Sequence, residues 1–375
     1  MNQPATRTGA GLVVAAVRCH VCEHALRPEV VIRSHAGVHD RSRYLLVELV
    51  DADGCQGWGE AATTPIWSGE WAQTEAELVR GLLAPAIVGT SYEHPSELLT
   101  KLDAVCWGHP FTKAAVETAA WDLWARRQQR SVLELVADRP PSTSLPTRAS
   151  IGAYPLEQTL RMATEFHARG IRCLKFKVGL PGVDDAVRLR AVREAVGSDV
   201  VFTLDANGGY PSADVALRAL ETMLPVGIAL LEQPTPRDRL DLLAAVRRHA
   251  SVPVMADEAI FTADQLAMAL DLDAFDVLSV YPGKNGGFSN ALAMARTAAA
   301  AGKGCAVGSN LETDVGLAAM TTLAAGCKAF DVERWPGDFA SSLYYTGSAV
   351  HELLALEDGR IAVPDGPGFG VEPRL

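Results

Sequence analysis

CLKFKVG (173–179), FTLDANGGY (202–210), LLEQP (230–234), VMADEA (254–259) and VLSVYPGKNGG (277–287) are short apolar runs, each of which ends in ionisable residues. The anchors Lys177, Asp205, Glu232, Asp257 and Lys284 are separated by 28, 27, 25 and 27 positions. One strand, one loop and one return helix need about 30 residues. A charge once per unit, always at the same strand end, places all five side chains on one rim of a parallel barrel. In such barrels the C-terminal rim is the face that carries chemistry.

The same rhythm extends in both directions. From Arg148 onward, strand candidates at 149–152, 173–178, 200–206, 228–233, 253–258, 276–281, 304–309 and 329–333 alternate with helical patterns at 155–169, 184–196, 212–223, 238–249, 262–270 and 288–301. Near-continuous apolar strands in eight β/α repeats, the eighth incomplete, predict an α/β fold of TIM-barrel type over residues 141–340.

The preceding part reads differently. Residues 12–33 and 44–50 have strand composition, and Asp53-Gly54 is a turn that pairs 44–50 with CQGWGEA (55–61) as a hairpin. Helical periodicity follows at 72–85, 96–106 and 112–129, the last with Thr112 as N-cap and a stripe of Ala115, Val116, Ala119, Ala120, Leu123 and Trp124. Strands first and helices afterwards predict an α+β domain over 1–140. The Pro- and Ser-rich run DRPPSTSLP (138–146) marks the boundary, and the segment 341–375, too short for a domain, is expected to fold back on the first one.

Composition narrows the function. Of 375 residues 48% are hydrophobic and 21% charged, as in a folded globular chain. A formal net charge of −11 argues against a nucleic-acid partner. No apolar run reaches transmembrane length, so no membrane partner is expected, and MNQPATRTGAG (1–11) lacks the pattern of a secretory leader. Seven scattered cysteines suit a reducing, cytoplasmic compartment. The Cys19-His-Val-Cys22 spacing has no second pair and reads as strand sequence.

Three carboxylates on consecutive strand ends, Asp205, Glu232 and Asp257, would repel one another unless a cation joined them. A hard divalent ion resolves the conflict, since Mg²⁺ takes oxygen ligands and leaves positions open for substrate oxygens. Each acid taken singly has a simpler account, as a helix cap or an arginine partner, but three in phase with the repeat do not. Lys175 and Lys177 alternate with Phe176 and so face the barrel interior, where burial and neighbouring cations are expected to lower a lysine's pKa and leave an amine that accepts a proton. Lys284, on the sixth strand end, lies across the barrel from the second. Two opposed amines can reach both faces of one carbon.

KFK (175–177), DANGGY (205–210), LLEQP, ADEA (256–259) and PGKNGG (282–287), together with GWGEA (57–61), AAVETAAWDLWAR (114–126) and DGPGFG (365–370), resemble the muconate lactonizing enzyme subgroup of the enolase superfamily over nearly the whole chain. The resemblance implies a (β/α)7β modified TIM barrel under a capping domain built from the N-terminal part and the C-terminal tail. It implies Mg²⁺, or Mn²⁺, held by Asp205, Glu232 and Asp257 and binding the carboxylate of a small substrate. Lys177 or Lys284 then abstracts the α-proton to give a metal-stabilised enediolate, with Lys175 tuning Lys177 and Asn207 and Glu258 beside the metal site. A homo-oligomer, dimer or octamer, is also implied. The sequence GSNLET (308–313) holds no histidine where the mandelate racemase subgroup places its catalytic one, and His167 and His249 fall on predicted outer helices.

Within the subgroup, substrate choice is expected to rest on two capping loops and on the ends of strands seven and eight. The first loop, 23–43, contains His24, Arg27, Arg33, His35, His39, Arg41 and Arg43, which read equally as a basic lid suited to a second anionic group and as a solvated loop face. The second, AATTPIWSGEW (61–71), is similar to a loop of muconate cycloisomerases, with Thr64 and Trp67 placed to close over substrate. Glu312 and Glu333 are rim acids, and Glu333 matches a glutamate of the cycloisomerases. The expectation is a cycloisomerase of a muconate-like or lactone acid. The alternatives are a racemase or epimerase of an N-acyl amino acid or dipeptide, or a dehydratase. More distant ones are a Schiff-base lyase and an inactive binding barrel.

Overall fold

The computed structural model describes residues 11–374, so the stretch 1–11, read as lacking a secretory leader, lies, except for Gly11, outside the described residues. The chain begins with an antiparallel sheet in which β1 (Ala16–Ala25) pairs with β4 (Arg41–Val50), and β4 with β5 (Gln56–Thr63). Between them lies a small hairpin of β2 (Ile32–Ser34) and β3 (Gly37–His39). Cys19 and Cys22 sit on β1 as free thiols.

The central helix of the cap, α1 (Pro110–Arg127), lies against this sheet. Its expected apolar stripe is an understatement, because Phe111 to Leu123 is buried on every side. Thr112 is not its N-cap. His109 holds that position with φ 53°, and the Thr112 hydroxyl, inside the first turn, donates to Glu70 and Glu75.

GWGEA is glycine-rich because the sheet touches the helix backbone. A Cβ on Gly59 would stand 2.0 Å from the Ala115 carbonyl oxygen, and one on Gly57 2.3 Å from that of Ala119. The alanines of AAVETAAW supply the matching flat surface. Asp122 then ties two distant segments to the helix, accepting the backbone N–H of Trp58 (2.9 Å) and of Phe369 (2.7 Å), and also takes the Nε–H of Arg126 (2.8 Å) one turn on. The tail therefore packs on α1. Its strands Leu356–Glu357 and Arg360–Ala362 also extend a sheet begun by Ser144–Pro146.

Seven parallel strands form the barrel in sequential order: β6 (Arg148–Ile151), β7 (Cys173–Lys177), β8 (Val201–Asp205), β9 (Ile228–Glu232), β10 (Val254–Ala256), β11 (Val277–Val280) and β12 (Gly304–Val307). The intervening helices are α2 (Leu156–Ala168), α3 (Asp185–Val196), α4 (Ala213–Met223), α5 (Leu240–His249), α6 (Ala263–Asp271) and α7 (Phe288–Ala300), followed by α8 (Asp314–Gly326). His167 and His249 lie on α2 and α5, as expected. The expected eighth strand at 329–333 does not form. Isolated bridges, Cys305 to Phe330 and Thr147 to Gly337, carry the chain past the gap between β12 and β6. No described helix is long and apolar enough to cross a membrane.

Candidate active site

Parallel register sets the rim. Lys177 is level with Asp205, and Asp205 with Glu232, so the ends of β7, β8 and β9 present their polar residues in one layer. Asp257 follows β10 directly, and Lys284 lies in the turn between β11 and α7. The two lysines thus stand at the end of the second strand and just past the sixth, bracketing three carboxylates at the C-terminal ends of the third, fourth and fifth. Lys175, Lys177, Asp205, Asn207, Glu232 and Asp257 line one pocket, with Thr64 and Trp67 in its wall.

Each carboxylate has a cation beside it. Lys177 Nζ donates to Asp205 Oδ2 (2.6 Å) and to Asn207 Oδ1 (2.8 Å). Lys284, fully buried and behind the pocket lining, donates to Asp257 Oδ1 (3.0 Å), Asp257 O (2.9 Å) and Ser279 O (2.6 Å), which uses all three of its hydrogens. Asn207, at φ 44°, also donates from Nδ2 to Glu258 Oε1 (3.3 Å).

Two residues that the sequence reading passed over complete the floor. Arg148, pointing inward from β6, reaches Glu232 Oε2 at 3.2 Å through Nη1 and Asp338 Oδ2 at 2.7 Å through Nη2. Asp338 Oδ2 also accepts from Lys175 Nζ at 2.7 Å. The signal for Arg148 was a lone arginine opening an otherwise small and apolar strand. Asp338 was hidden because the closing strand was sought at 329–333.

Electrostatics depart from the expectation of a depressed strand lysine. Burial and the Arg148 guanidinium push Lys175 down, but Asp338, Glu232 and Asp205 outweigh them and hold it above the ordinary lysine range. Asp338 itself is drawn down to about 2, since Arg148 and Lys175 overcome its burial. Burial pushes Glu232 up to about 7 in spite of Arg148 and Lys175, with Asp205 and Asp257 adding to the rise. Glu258 is pushed well above the carboxylate range by burial and then by Asp257 and Asp205, and its Oε2 is buried without a hydrogen bond.

Carboxylates that burial, and then one another, keep from ionising readily are a donor set short of positive charge. Three hard oxygen donors on one pocket wall fit Mg²⁺. Their oxygens are at present turned toward the amines and the guanidinium. The one described trio of His, Cys, Asp or Glu whose donor atoms all lie within 4.8 Å of one another is Glu70, Glu75 and His109. That trio already has a task, since Glu70 accepts the backbone N–H of Phe111 (3.1 Å) and of Thr112 (2.8 Å) at the start of α1.

Other expected site residues fall differently. Glu312 is buried behind the lining, accepting from Ser309 Oγ (2.6 Å) and Asn310 N (2.9 Å), and burial pushes it up to about 7. Its neighbours Ser309, Asn310 and Leu311 face the pocket instead. Glu333 is not a rim acid. Its side chain is 67% exposed and pairs with Arg360 at 3.0 Å, because the chain there runs outside the barrel.

The basic lid is only partly neutralised, and its exposed Arg33 and His35 are not among the pocket-lining residues. Arg41 and Arg43 pair with Glu23, and Arg27 with Glu165. His24 stacks on Tyr345. Ile32, Ser34, Ala36, Gly37, Val38 and His39 form the pocket wall, and burial lowers His39 to about 4, so it is neutral at pH 7. Trp67 packs against Phe111, Phe261 and Tyr281, and Arg237 Nη1 fixes its carbonyl at 2.7 Å.

This capped barrel, with its rim of alternating acids and amines, has close counterparts among known proteins. Residues 158–375 match the enolase C-terminal domain-like family, and residues 17–137 match the mandelate racemase / muconate lactonizing enzyme N-terminal domain. An N-succinylamino acid racemase from Amycolatopsis sp is 32% identical over 345 residues, 91% of this chain and 90% of that protein. Muconate cycloisomerase 1 from Rhodococcus opacus is 28% identical over 333 residues, 88% of each chain. The crystal structure of a dipeptide epimerase from Enterococcus faecalis V583, complexed with Mg and L-Leu-L-Tyr, superposes with a TM-score of 0.89 at 25% identity, covering 96% of this chain and 100% of that one. The chain belongs to the enolase superfamily, in its muconate lactonizing subgroup, and is an isomerase of that group.

Proposed function

We propose that the chain racemises or epimerises a small N-acylated α-amino acid with a neutral acyl group, by Mg²⁺-dependent proton transfer at the carbon next to the carboxylate. The observation that carries this reading is the placement of Lys177 at the end of the second strand and Lys284 in the turn after the sixth, on either side of Asp205, Glu232 and Asp257. Inverting one carbon needs an acid/base group on each face. A Mg²⁺ held by those three acids would bind the substrate carboxylate and stabilise the charge that develops on it as the Cα–H bond breaks.

Lys177, open to the pocket, takes the proton from one face, and Asn207 holds its Nζ in place. Lys284 supplies a proton to the opposite face once Asp257 Oδ1 turns away and releases one of its three N–H groups. Trp67 covers the pocket and limits water.

The outer wall supports the substrate class. Ile32, Val38, Ile66, Trp67 and Leu311 are apolar, Ser34, Ser309 and Asn310 offer neutral hydrogen bonds, and His39 is uncharged. A muconate or N-succinyl group brings a second carboxylate, which would meet no unpaired arginine or lysine among the described lining residues. A dipeptide ammonium would find Asp338 already committed to Arg148 and Lys175. The cycloisomerase reading keeps one observation in its favour, the presence of Thr64 and Trp67 in the wall, but loses Glu333.

The test is α-deuterium exchange in D₂O with Mg²⁺, comparing N-acetyl amino acids, N-succinyl amino acids, dipeptides and cis,cis-muconate. Faster exchange with apolar N-acetyl amino acids supports the reading. Turnover of muconate without exchange into amino acids refutes it.

A further inference from the structure

We propose that Leu311 is a specificity-determining residue and that Glu312 positions it, by holding the turn after β12 in a left-handed form that sets the leucine against the group carried on the reacting carbon. This rests on the reading of the chain as a racemase or epimerase of N-acylated amino acids, and adds to it the wall that limits the amino-acid side chain.

Leu311 has φ 63°. In that region the Cβ of an L-residue crowds its own backbone, so the conformation belongs to glycine, or to Asn and Asp, whose short polar side chains bond locally. Of the seven described non-glycine residues with positive φ, Leu311 is the only apolar one. A bulky residue there is strained, and it persists only where its surroundings overdetermine it.

The surroundings of Leu311 do so. Its N–H donates to Ser309 Oγ (2.8 Å), and its carbonyl accepts from the hydroxyl of the fully buried Tyr44 (2.7 Å). The Glu312 carboxylate closes the turn from behind, accepting from Ser309 Oγ (2.6 Å) and from Asn310 N (2.9 Å). Asn310 Nδ2 donates to Ala62 O (3.3 Å), Tyr345 Oη to Glu312 O (3.1 Å), and Thr313 N to Glu60 Oε1 (2.8 Å). Tyr44 lies on β4, and Glu60 and Ala62 on β5, so the capping sheet fixes this part of the rim.

Packing does not by itself explain a leucine here. The residue is half-buried and lines the pocket, and glycine or asparagine would make the same turn with less strain. Position gives the side chain a use. Lys284 follows β11 and Leu311 follows β12, the next strand of the barrel, on the side of Lys284 away from Asp205, Glu232 and Asp257. With the substrate carboxylate held toward those acids, the other groups on the carbon between Lys177 and Lys284 point toward this wall. An apolar wall fixed in place discriminates by size, by about 10- to 200-fold per methylene.

The test is racemisation of N-acetylalanine and N-acetylphenylalanine by the full chain with Mg²⁺, read as the ratio of the two kcat/KM values. Leu311→Gly is expected to move that ratio about tenfold toward phenylalanine. Glu312→Ala should move it in the same direction, whereas Glu312→Gln, which keeps an acceptor oxygen behind the turn, should hold the wild-type ratio. General damage lowers both substrates alike, so the ratio separates positioning from a loss of structure. Leu311→Gly should also unfold at a higher temperature than Leu311→Ala, because alanine keeps the strain that glycine relieves.

An unchanged ratio in Leu311→Gly overturns the proposal, as does a Leu311→Ala protein that unfolds at the same temperature as Leu311→Gly or above it. A Glu312→Gln ratio displaced as far as that of Glu312→Ala overturns the positioning role. If Leu311→Gly does not fold, Leu311→Asn, which also tolerates the left-handed region, should move the ratio in the same direction, and an unchanged ratio in it counts against the role. Absence of racemisation and of α-deuterium exchange with either substrate in the wild type removes the functional reading on which this rests, whereas turnover with an unmoved ratio removes only the role of Leu311.

Discussion

The Glu117 carboxylate accepts the backbone N–H of Phe288 at 2.7 Å, joining residues 171 positions apart. It also takes the N–H of Ser289 at 3.2 Å and the Ser289 hydroxyl, so a side chain of the capping helix closes the first turn of α7. The opening N–H groups of a helix have no partner within it, and their positive pole attracts an acid. The turn held this way begins at Gly287, three residues after Lys284.

Glu117→Ala strips several charge-assisted hydrogen bonds from a buried site and is expected to cost about 2–4 kcal/mol, with a lower kcat because the Lys284 turn loses its anchor. Glu117→Gln keeps acceptor atoms and should lose less. Thermal unfolding and steady-state kinetics on both variants check this. Equal Tm values for all three proteins would show that the cap carries no stability.

Opposed bases leave a stereochemical signature. Lys177→Ala should abolish exchange from one enantiomer of the substrate and Lys284→Ala exchange from the other, with racemisation falling about 10²–10⁴-fold in each. Deuterium incorporation followed separately for the two enantiomers distinguishes this from a single-base mechanism, in which one lysine variant would silence both.

His39, held at about 4 by burial, binds a proton more weakly in the folded chain than in the unfolded one. Above about pH 6.5 neither state is protonated and His39 adds no pH dependence. As the pH falls from about 6.5 toward 4, the unfolded chain gains a proton that the folded chain does not, and stability declines by up to about 1.4 kcal/mol per pH unit. In His39→Gln that part of the slope should vanish, while His39 Nε2 loses its 2.7 Å contact with Ser42 Oγ. Unfolding free energies at pH 7 and pH 5 for both proteins measure the difference.

Glu333→Gln removes only an exposed ion pair with Arg360, so it should alter stability by less than about 0.5 kcal/mol and leave kcat/KM unchanged. A large kinetic effect would put this glutamate back on the rim and revive the cycloisomerase reading.

Much of this could be read before any coordinates. Apolar runs at intervals of 25 to 28 residues dictate a parallel barrel, because each unit must cross over and return, and strand-end placement dictates that Lys177, Asp205, Glu232, Asp257 and Lys284 share a rim. Local periodicity and chain length carry that information. It does not say which charge faces which. The pairing of Arg148 with Glu232 and Asp338, the capture of Arg27, Arg41 and Arg43 by Glu165 and Glu23, and the exile of Glu333 to solvent join residues up to 190 positions apart. Such contacts depend on how strands stagger and where the closing segment enters. The strand at 329–333 was misplaced for the same reason, since β-like composition does not form a strand where the neighbouring edges offer only isolated bridges. Sequence thus determined the barrel and its reactive rim, while the neutrality of the pocket wall was decided by tertiary packing, because a side chain's charge acts on the substrate only where folding leaves it unpaired.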